Sequence, residues 1–167
     1  MDKLLPAFSK NNIAIAFCAD DNFAPCTAVL IRSILFTGKA EDHYDFVLLH
    51  SEMSMENQKK LTEITATREN ASMRFVDVMT FISQYNFFTG TVREEKEISK
   101  ETYYRLLIPE VMSGYEKVLY LDGDMVALCD VAEVYHMELG SYLVAACRDL
   151  VGLMAYYNPD YCIDRRN

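Results

Sequence analysis

The sequence contains no CxxC pair, no basic stripe, no apolar run long enough to span a bilayer and no low-complexity tract. Its five cysteines, Cys18, Cys26, Cys129, Cys147 and Cys162, are odd in number and scattered through mostly apolar segments. That usage excludes a disulfide framework and fits a reducing compartment. His43, His50 and His136 share no ligand spacing with each other or with a cysteine pair, which excludes an ordinary zinc site. Lys and Arg number 16 against 25 Asp and Glu, a formal charge of −9 that repels a phosphate backbone. The densest charged run, Arg93 to Glu97, is mixed and mostly acidic, so nucleic acid is not an expected partner. The opening "MDKLLPAFSKNN" is too short and too polar for a secretory signal, and the chain reads as soluble and cytoplasmic.

What is present is a core. With 51% hydrophobic residues in 167, one domain spanning 1–167 is expected. A chain of this size buries roughly 70% of the surface that its unfolded form exposes. "NIAIAF" (12–17) reads as a buried strand that stops at the polar "CADDN". A helix follows, capped by Asp21 or Asn22, with Pro25 in its first turn and Gly38 at its stop. "YDFVLLH" (44–50) is a second strand, "SMENQKKLTEITATREN" an amphipathic helix capped by Ser54, and "MRFVDV" (73–78) a third strand. Residues 79–98 break the periodicity, with Phe81, Tyr85, Phe87 and Phe88 anchoring a long connection. A helix capped by Ser99 then turns Tyr104, Leu107, Ile108 and Val111 to one face, and Pro109 ends or kinks it. "YEKVLYL" (115–121) and "SYLVAAC" (141–147) are the fourth and fifth strands. Continuously apolar strands alternating with helices predict an α/β fold, a mostly parallel sheet covered by helices on both faces.

In such sheets ligands bind beyond the carboxyl ends of the strands. Two acidic clusters fall there: Asp20, Asp21 and Asn22 after the first strand, and Asp122 and Asp124 after the fourth. Helix capping accounts for one residue of the first cluster and a solvated turn for the second. The alternative is a hard-cation site, because paired carboxylates suit Mg²⁺ or Mn²⁺ whose shell is completed by water and phosphate oxygens. Gly123 between the two acids permits a tight turn and close backbone approach. Arg105 is the third candidate; its plain role is an exposed pair with Glu101 four residues earlier, worth about 0.3 to 0.5 kcal/mol.

"FCADDNF", "ISKETYYRLLIPEVM", "EKVLYLDGDMV" and "LVAACRDL", in this order, resemble glycosyltransferase family 8, the retaining GT-A enzymes with a Rossmann-like domain that include bacterial lipopolysaccharide galactosyl- and glucosyltransferases. The resemblance covers residues 12 to 150. It implies that Cys18, Ala19, Asp20 and Asn22 line a uridine pocket, with the Asp20 carboxylate accepting from the uracil ring and Asn22 near the ribose. It further implies that Arg105 reaches the donor sugar and diphosphate, and that Asp122, Gly123 and Asp124 form the DxD turn. Asp122 and Asp124 would bind the Mn²⁺, or Mg²⁺, that holds the UDP diphosphate, and Asp149 would sit near the donor sugar or acceptor. The implied partners are a UDP-hexose donor and a saccharide acceptor. The implied setting is cell-envelope polysaccharide synthesis, cytoplasmic or peripheral at the inner membrane face.

The pattern departs from the family after "YYNPDYCIDRRN". Family members continue through donor-sugar contacts and a His-containing motif that supplies a third metal ligand, so the resemblance is to the nucleotide-binding portion. Apolar surface left where the remainder packs predicts self-association. Two other readings compete. A HAD-type phosphatase would use Asp122 as nucleophile and Asp124 as acid/base, but it needs more chain than the 43 residues after Asp124 and leaves Asp20 and Arg105 without a role. A non-catalytic UDP-binding remnant is the other.

Overall fold

The computed structural model describes residues 3–82 and 103–147. By internal contacts the chain divides into two units, Met1–His136 and Met137–Asn167.

The first unit holds a four-stranded parallel sheet in the order β3-β2-β1-β4. Its strands are β1 (Asn12–Cys18), β2 (His43–His50), β3 (Ala71–Asp77) and the two-residue β4 (Leu119–Tyr120). β1 is hydrogen-bonded along both edges, and Ile13 to Phe17 are fully buried. This is why its sequence is apolar without alternation. Helices α1 (Ala24–Thr37) and α2 (Met55–Thr65) are the crossovers between the first three strands.

Successive side chains of a strand point to opposite faces. Accordingly Ile13, Ile15 and Phe17 pack with Leu30, Ile31 and Ile34 of α1 and Leu61 of α2. Ala14 and Ala16, with Val47 and Leu49 of β2, pack instead against Tyr104, Leu107, Val111 and Met112. Those residues belong to a 3₁₀ turn, Arg105–Leu107, running into a short α-helix, Ile108–Val111, and its flanks. Both faces of the sheet are covered, as the apolar strands predicted.

Several expectations are corrected. No side chain caps α1, whose N-cap residue is Phe23 rather than Asp21 or Asn22: the Asp20 carboxylate accepts from Phe23 N at 2.9 Å in the turn before the helix, and Asp21 is used elsewhere. Ser54 does cap α2, accepting from Asn57 N at 3.3 Å. Gly38 ends α1 at an ordinary φ of −79°; it is needed because the Tyr44 phenol fills the space a β-carbon would take. Only Leu119 and Tyr120 of the expected fourth strand pair with β1. Residues 141–147 form no strand in the second unit, which among its described residues has a turn closed by Tyr142 N donating to Leu139 O at 3.0 Å. An apolar run becomes a strand only where a neighbour supplies the hydrogen-bond ladder, and Leu143 and Val144 stay exposed. Of the expected aromatic anchors, Phe81 packs on the second core cluster from a one-turn helix, Met79–Ile82; Tyr85, Phe87, Phe88 and the Ser99 cap lie outside the described residues.

One carboxylate is buried in the sheet. Asp45 of β2 accepts from Arg74 Nη2 at 2.5 and 2.6 Å, Ser72 Oγ at 2.9 Å, Tyr115 Oη at 2.8 Å and Ala7 N at 2.9 Å. Five hydrogen bonds from four donors hold three separate stretches of chain on one side chain. A buried charge stripped of its partner is left uncompensated, so Asp45→Ala is expected to cost about 3 kcal/mol in urea unfolding. Adding Arg74→Met should recover part of that loss.

Candidate functional site

Because β1, β2 and β4 are parallel, their carboxyl ends converge, and the chain leaving β1 carries the first polar cluster. Ala19, almost fully buried, donates its N–H to Leu49 O at 3.3 Å and prolongs the β1–β2 ladder. Asp20 then folds over the start of α1, with Oδ1 on Phe23 N and Oδ2 accepting from Asn22 Nδ2 at 3.1 Å. Asp21 turns the other way, toward α2. Its Oδ1 accepts from Ser54 N at 2.9 Å, Ser54 Oγ at 3.0 Å and Asn57 Nδ2 at 2.8 Å. The Asn57 bond first and the Ser54 N–H second hold the Asp21 carboxyl below the ordinary range. Asp21 therefore fastens the loop after β1 to the head of α2, while Asp20 and Asn22 bond each other beside the start of α1.

The second cluster reaches the same end. Leu121 N donates to Ala16 O at 3.1 Å, and the chain turns at Asp122–Met125 with Met125 N on Asp122 O at 3.3 Å. Gly123 is buried against the end of β1: a β-carbon there would lie 2.8 Å from Thr27 Oγ1, 3.7 Å from Cys18 O and 3.9 Å from Ala19 Cβ. The DGD turn and the Cys18–Ala19 corner are thus in direct contact. Glycine at 123 is a packing requirement.

Alternation along β4 sends Leu119 and Leu121 toward α1, and Val118 and Tyr120 toward the face covered by residues 104–112. Arg105 lies on that covering segment. Its guanidinium sits over the Tyr120 ring at 4.8 Å, and its Nη2 meets Asp122 Oδ1 at 3.0 Å. Tyr120 Oη donates to the same Oδ1 at 2.7 Å. Burial, then the bond to Asp122, raises the Tyr120 phenol well above its ordinary pKa, so it stays a donor at any physiological pH. Arg105 thus pairs with Asp122, whereas the partner expected from helical spacing, Glu101, lies outside the described residues.

Asp124 is exposed, and among the described residues no hydrogen bond or ion pair holds its carboxylate. Asp149 lies outside the described residues. Among those described, no three His, Cys, Asp or Glu side chains cluster as a metal site. Asp122 and Asp124, two residues apart, are carboxylates of the hard oxygen type that could supply two ligands to a divalent cation, with water and ligand oxygens completing a shell. No described helix is long and apolar enough to cross a membrane.

Sequence reasoning passed over Tyr120, Thr27 and His50. Tyr120 was legible in principle, since two residues apart on a strand places it on the same side as Asp122. His50 at the end of β2 is buried, and its Nδ1 accepts from Met53 N at 3.3 Å beside the Ser54–Asp21 tether. Burial lowers its pKa, against a smaller upward pull from Asp77 and then Asp21.

A family model described as glycosyl transferase family 8 matches residues 14–166. General stress protein A of Bacillus subtilis (strain 168) is 28% identical over 137 residues, covering 81% of this chain and 46% of that protein. The apo structure of the bifunctional glycosyltransferase WbbM superposes with a TM-score of 0.75 and 34% identity, over 89% of this chain and 25% of that one. Galactosyltransferase LgtC in complex with donor and acceptor sugar analogs gives a TM-score of 0.56 and 26% identity, over 77% and 44%. This chain spans less than half the length of each of these relatives.

Two outcomes are expected here. Gly123→Ala should destabilise by about 1 to 3 kcal/mol, because Thr27 Oγ1 is held on Phe23 O at 3.1 Å and cannot readily swing aside. Thr27→Ala in the same chain should relieve much of it, read as the urea midpoint. For His50, the folded state favours the neutral ring, so its contribution is present above the unfolded pKa of about 6.5 and is lost as pH falls through the lowered folded value. The thermal midpoint should fall between pH 7.5 and 5.5, and by less in His50→Asn.

Proposed function

Since the chain belongs to glycosyltransferase family 8, we propose that it is the nucleotide-binding portion of a retaining, metal-dependent hexosyltransferase that uses a UDP-sugar. The observation that carries this reading is the contact between the two polar clusters: Gly123 of the DGD turn against Cys18 and Ala19, with Arg105 on Asp122 beside it. A nucleotide and its diphosphate need one continuous surface with base-recognising groups at one end and charge-handling groups at the other.

In this reading Cys18, Ala19, Asp20 and Asn22 receive the uridine. Both Asp20 oxygens already accept one bond within the chain, and each keeps a second lone pair for the uracil ring N–H. Asp122 and Asp124 hold Mn²⁺ or Mg²⁺, which when bound neutralises the diphosphate that a chain of charge −9 would otherwise repel. Arg105 adds a fixed cation for the diphosphate and donor sugar, and Asp149 serves the donor sugar or acceptor. In the transfer, the acceptor hydroxyl oxygen bonds to the anomeric carbon on the face from which UDP leaves. The bond from that carbon to the diphosphate oxygen breaks with its electron pair on UDP, and the hydroxyl proton passes to that leaving oxygen. Retention follows from attack on the departing face.

The phosphatase reading loses its ground with the family assignment. Exposed Met125, Val126 and Leu128 support self-association as a further property of this chain, alongside a cytoplasmic or membrane-peripheral seat in envelope polysaccharide synthesis.

Thermal unfolding with UDP, Mn²⁺, both or neither tests the site. A ligand at 100 times its Kd adds about 2.7 kcal/mol of stability. The full shift is expected only with both ligands, and none in Asp122→Asn/Asp124→Asn. No shift in the wild-type chain with UDP, Mn²⁺ or both, relative to neither, refutes the proposal.

A further inference from the structure

Arg105, Tyr120 and Asp122 form a closed triangle. The guanidinium lies on the Tyr120 ring at 4.8 Å and pairs with Asp122 Oδ1 at 3.0 Å, while the Tyr120 hydroxyl donates to that same oxygen at 2.7 Å. The carboxylate expected to receive a dication is thus already neutralised by a monocation, and that monocation is the group expected to receive the diphosphate. Asp122 and Arg105 cannot give their full charge to each other and to two ligands at once. Neither partner is deeply buried, with Arg105 at 38% and Asp122 at 51% side-chain exposure, so the pair can open without a desolvated charge being stranded.

We propose that this triangle is a latch that couples the two ligands. With the latch closed, a divalent cation meets an Asp122 whose charge is spent and an adjacent guanidinium that repels it. A diphosphate draws Arg105 away and frees Asp122; a cation on Asp122 likewise displaces Arg105 and frees it for phosphate oxygens. Both ligands select the open arrangement, so each improves the affinity of the other by the same factor. Tyr120 is the positioning residue, since its ring seats the guanidinium and its hydroxyl seats the carboxylate oxygen. The inference rests on the UDP and metal reading above and adds to it a sign: removing the arginine that serves the nucleotide should tighten the metal on its own.

The size follows from the pair. An exposed ion pair of this kind is worth about 0.2 to 1 kcal/mol, which closes the latch enough to weaken the cation about 1.5- to fivefold. Free Mn²⁺ counted by electron paramagnetic resonance, without nucleotide, gives the metal affinity; UDP calorimetry with and without Mn²⁺ gives the coupling factor. In Arg105→Ala the affinity for Mn²⁺ alone should rise by that amount, and the coupling factor should fall by the same ratio, whatever happens to UDP affinity itself. Arg105→Gln serves if the alanine variant unfolds. Tyr120→Phe keeps the ring under the guanidinium and removes one bond from Oδ1, so it should show a smaller rise in the same direction. Unchanged or weaker Mn²⁺ binding in the Arg105 variants, or an unchanged coupling factor, overturns the latch while leaving the nucleotide site intact. A wild-type chain that takes up neither Mn²⁺ nor UDP overturns both.

Discussion

Residues 13 to 17 of β1 have no exposed surface; all five pair with β2 on one edge, and Ile15 and Ala16 also pair with β4 on the other. A strand in that position cannot tolerate a polar side chain on either face without an internal partner. It becomes the axis on which the packing is built, with α1 and α2 on one face and the 104–112 segment on the other. Its end is equally fixed. Where the burial stops, at Cys18, the chain must present polar groups to solvent, and the parallel arrangement makes β4 stop beside it. The meeting of "CADDN" with "DGD" is a consequence of burying β1 completely.

Two arginine–aspartate pairs show how burial assigns a role to the same chemistry. Arg74 and Asp45 meet inside the sheet, where Asp45 is fully buried and further donors complete its shell. Opening that pair would leave a charge in a poorly solvated interior, so it works as a fixed clasp between β2, β3, the 115 region and the N-terminal segment. Arg105 and Asp122 meet at the strand ends with water at hand. Opening this pair costs little, and both members stay available to ligands of opposite charge. The first pair resists exchange of partners and the second invites it.

The loop after β1 divides its acids by the same logic. Asp20 closes the turn that leads into α1, accepting from Phe23 N while also bonding Asn22. Asp21, one of the two caps offered by the sequence, is taken up by Ser54 and Asn57 and ties the head of α2 to the loop after β1. Adjacent residues with identical chemistry were separated by which neighbour lay within reach. His50 and Met53 bond beside that tether, at the end of the second strand.

Local pattern by itself determined the β-α-β-α-β order, the Ser54 cap, the covered sheet and the placing of both acidic clusters at strand ends, because hydrophobic periodicity and capping act over a few residues. The family also followed from contiguous motifs, whose chemistry is written in neighbouring side chains. Tertiary structure alone decided the partners. That Arg105 pairs with Asp122, that Asp21 reaches Ser54, that Thr27 makes glycine obligatory at 123 and that Asp45 gathers Arg74 and Tyr115 all depend on strand order and register. The run 141–147 is the converse case: its composition suits a strand, but a strand exists only where another backbone completes its hydrogen bonds, and composition carries no record of that neighbour.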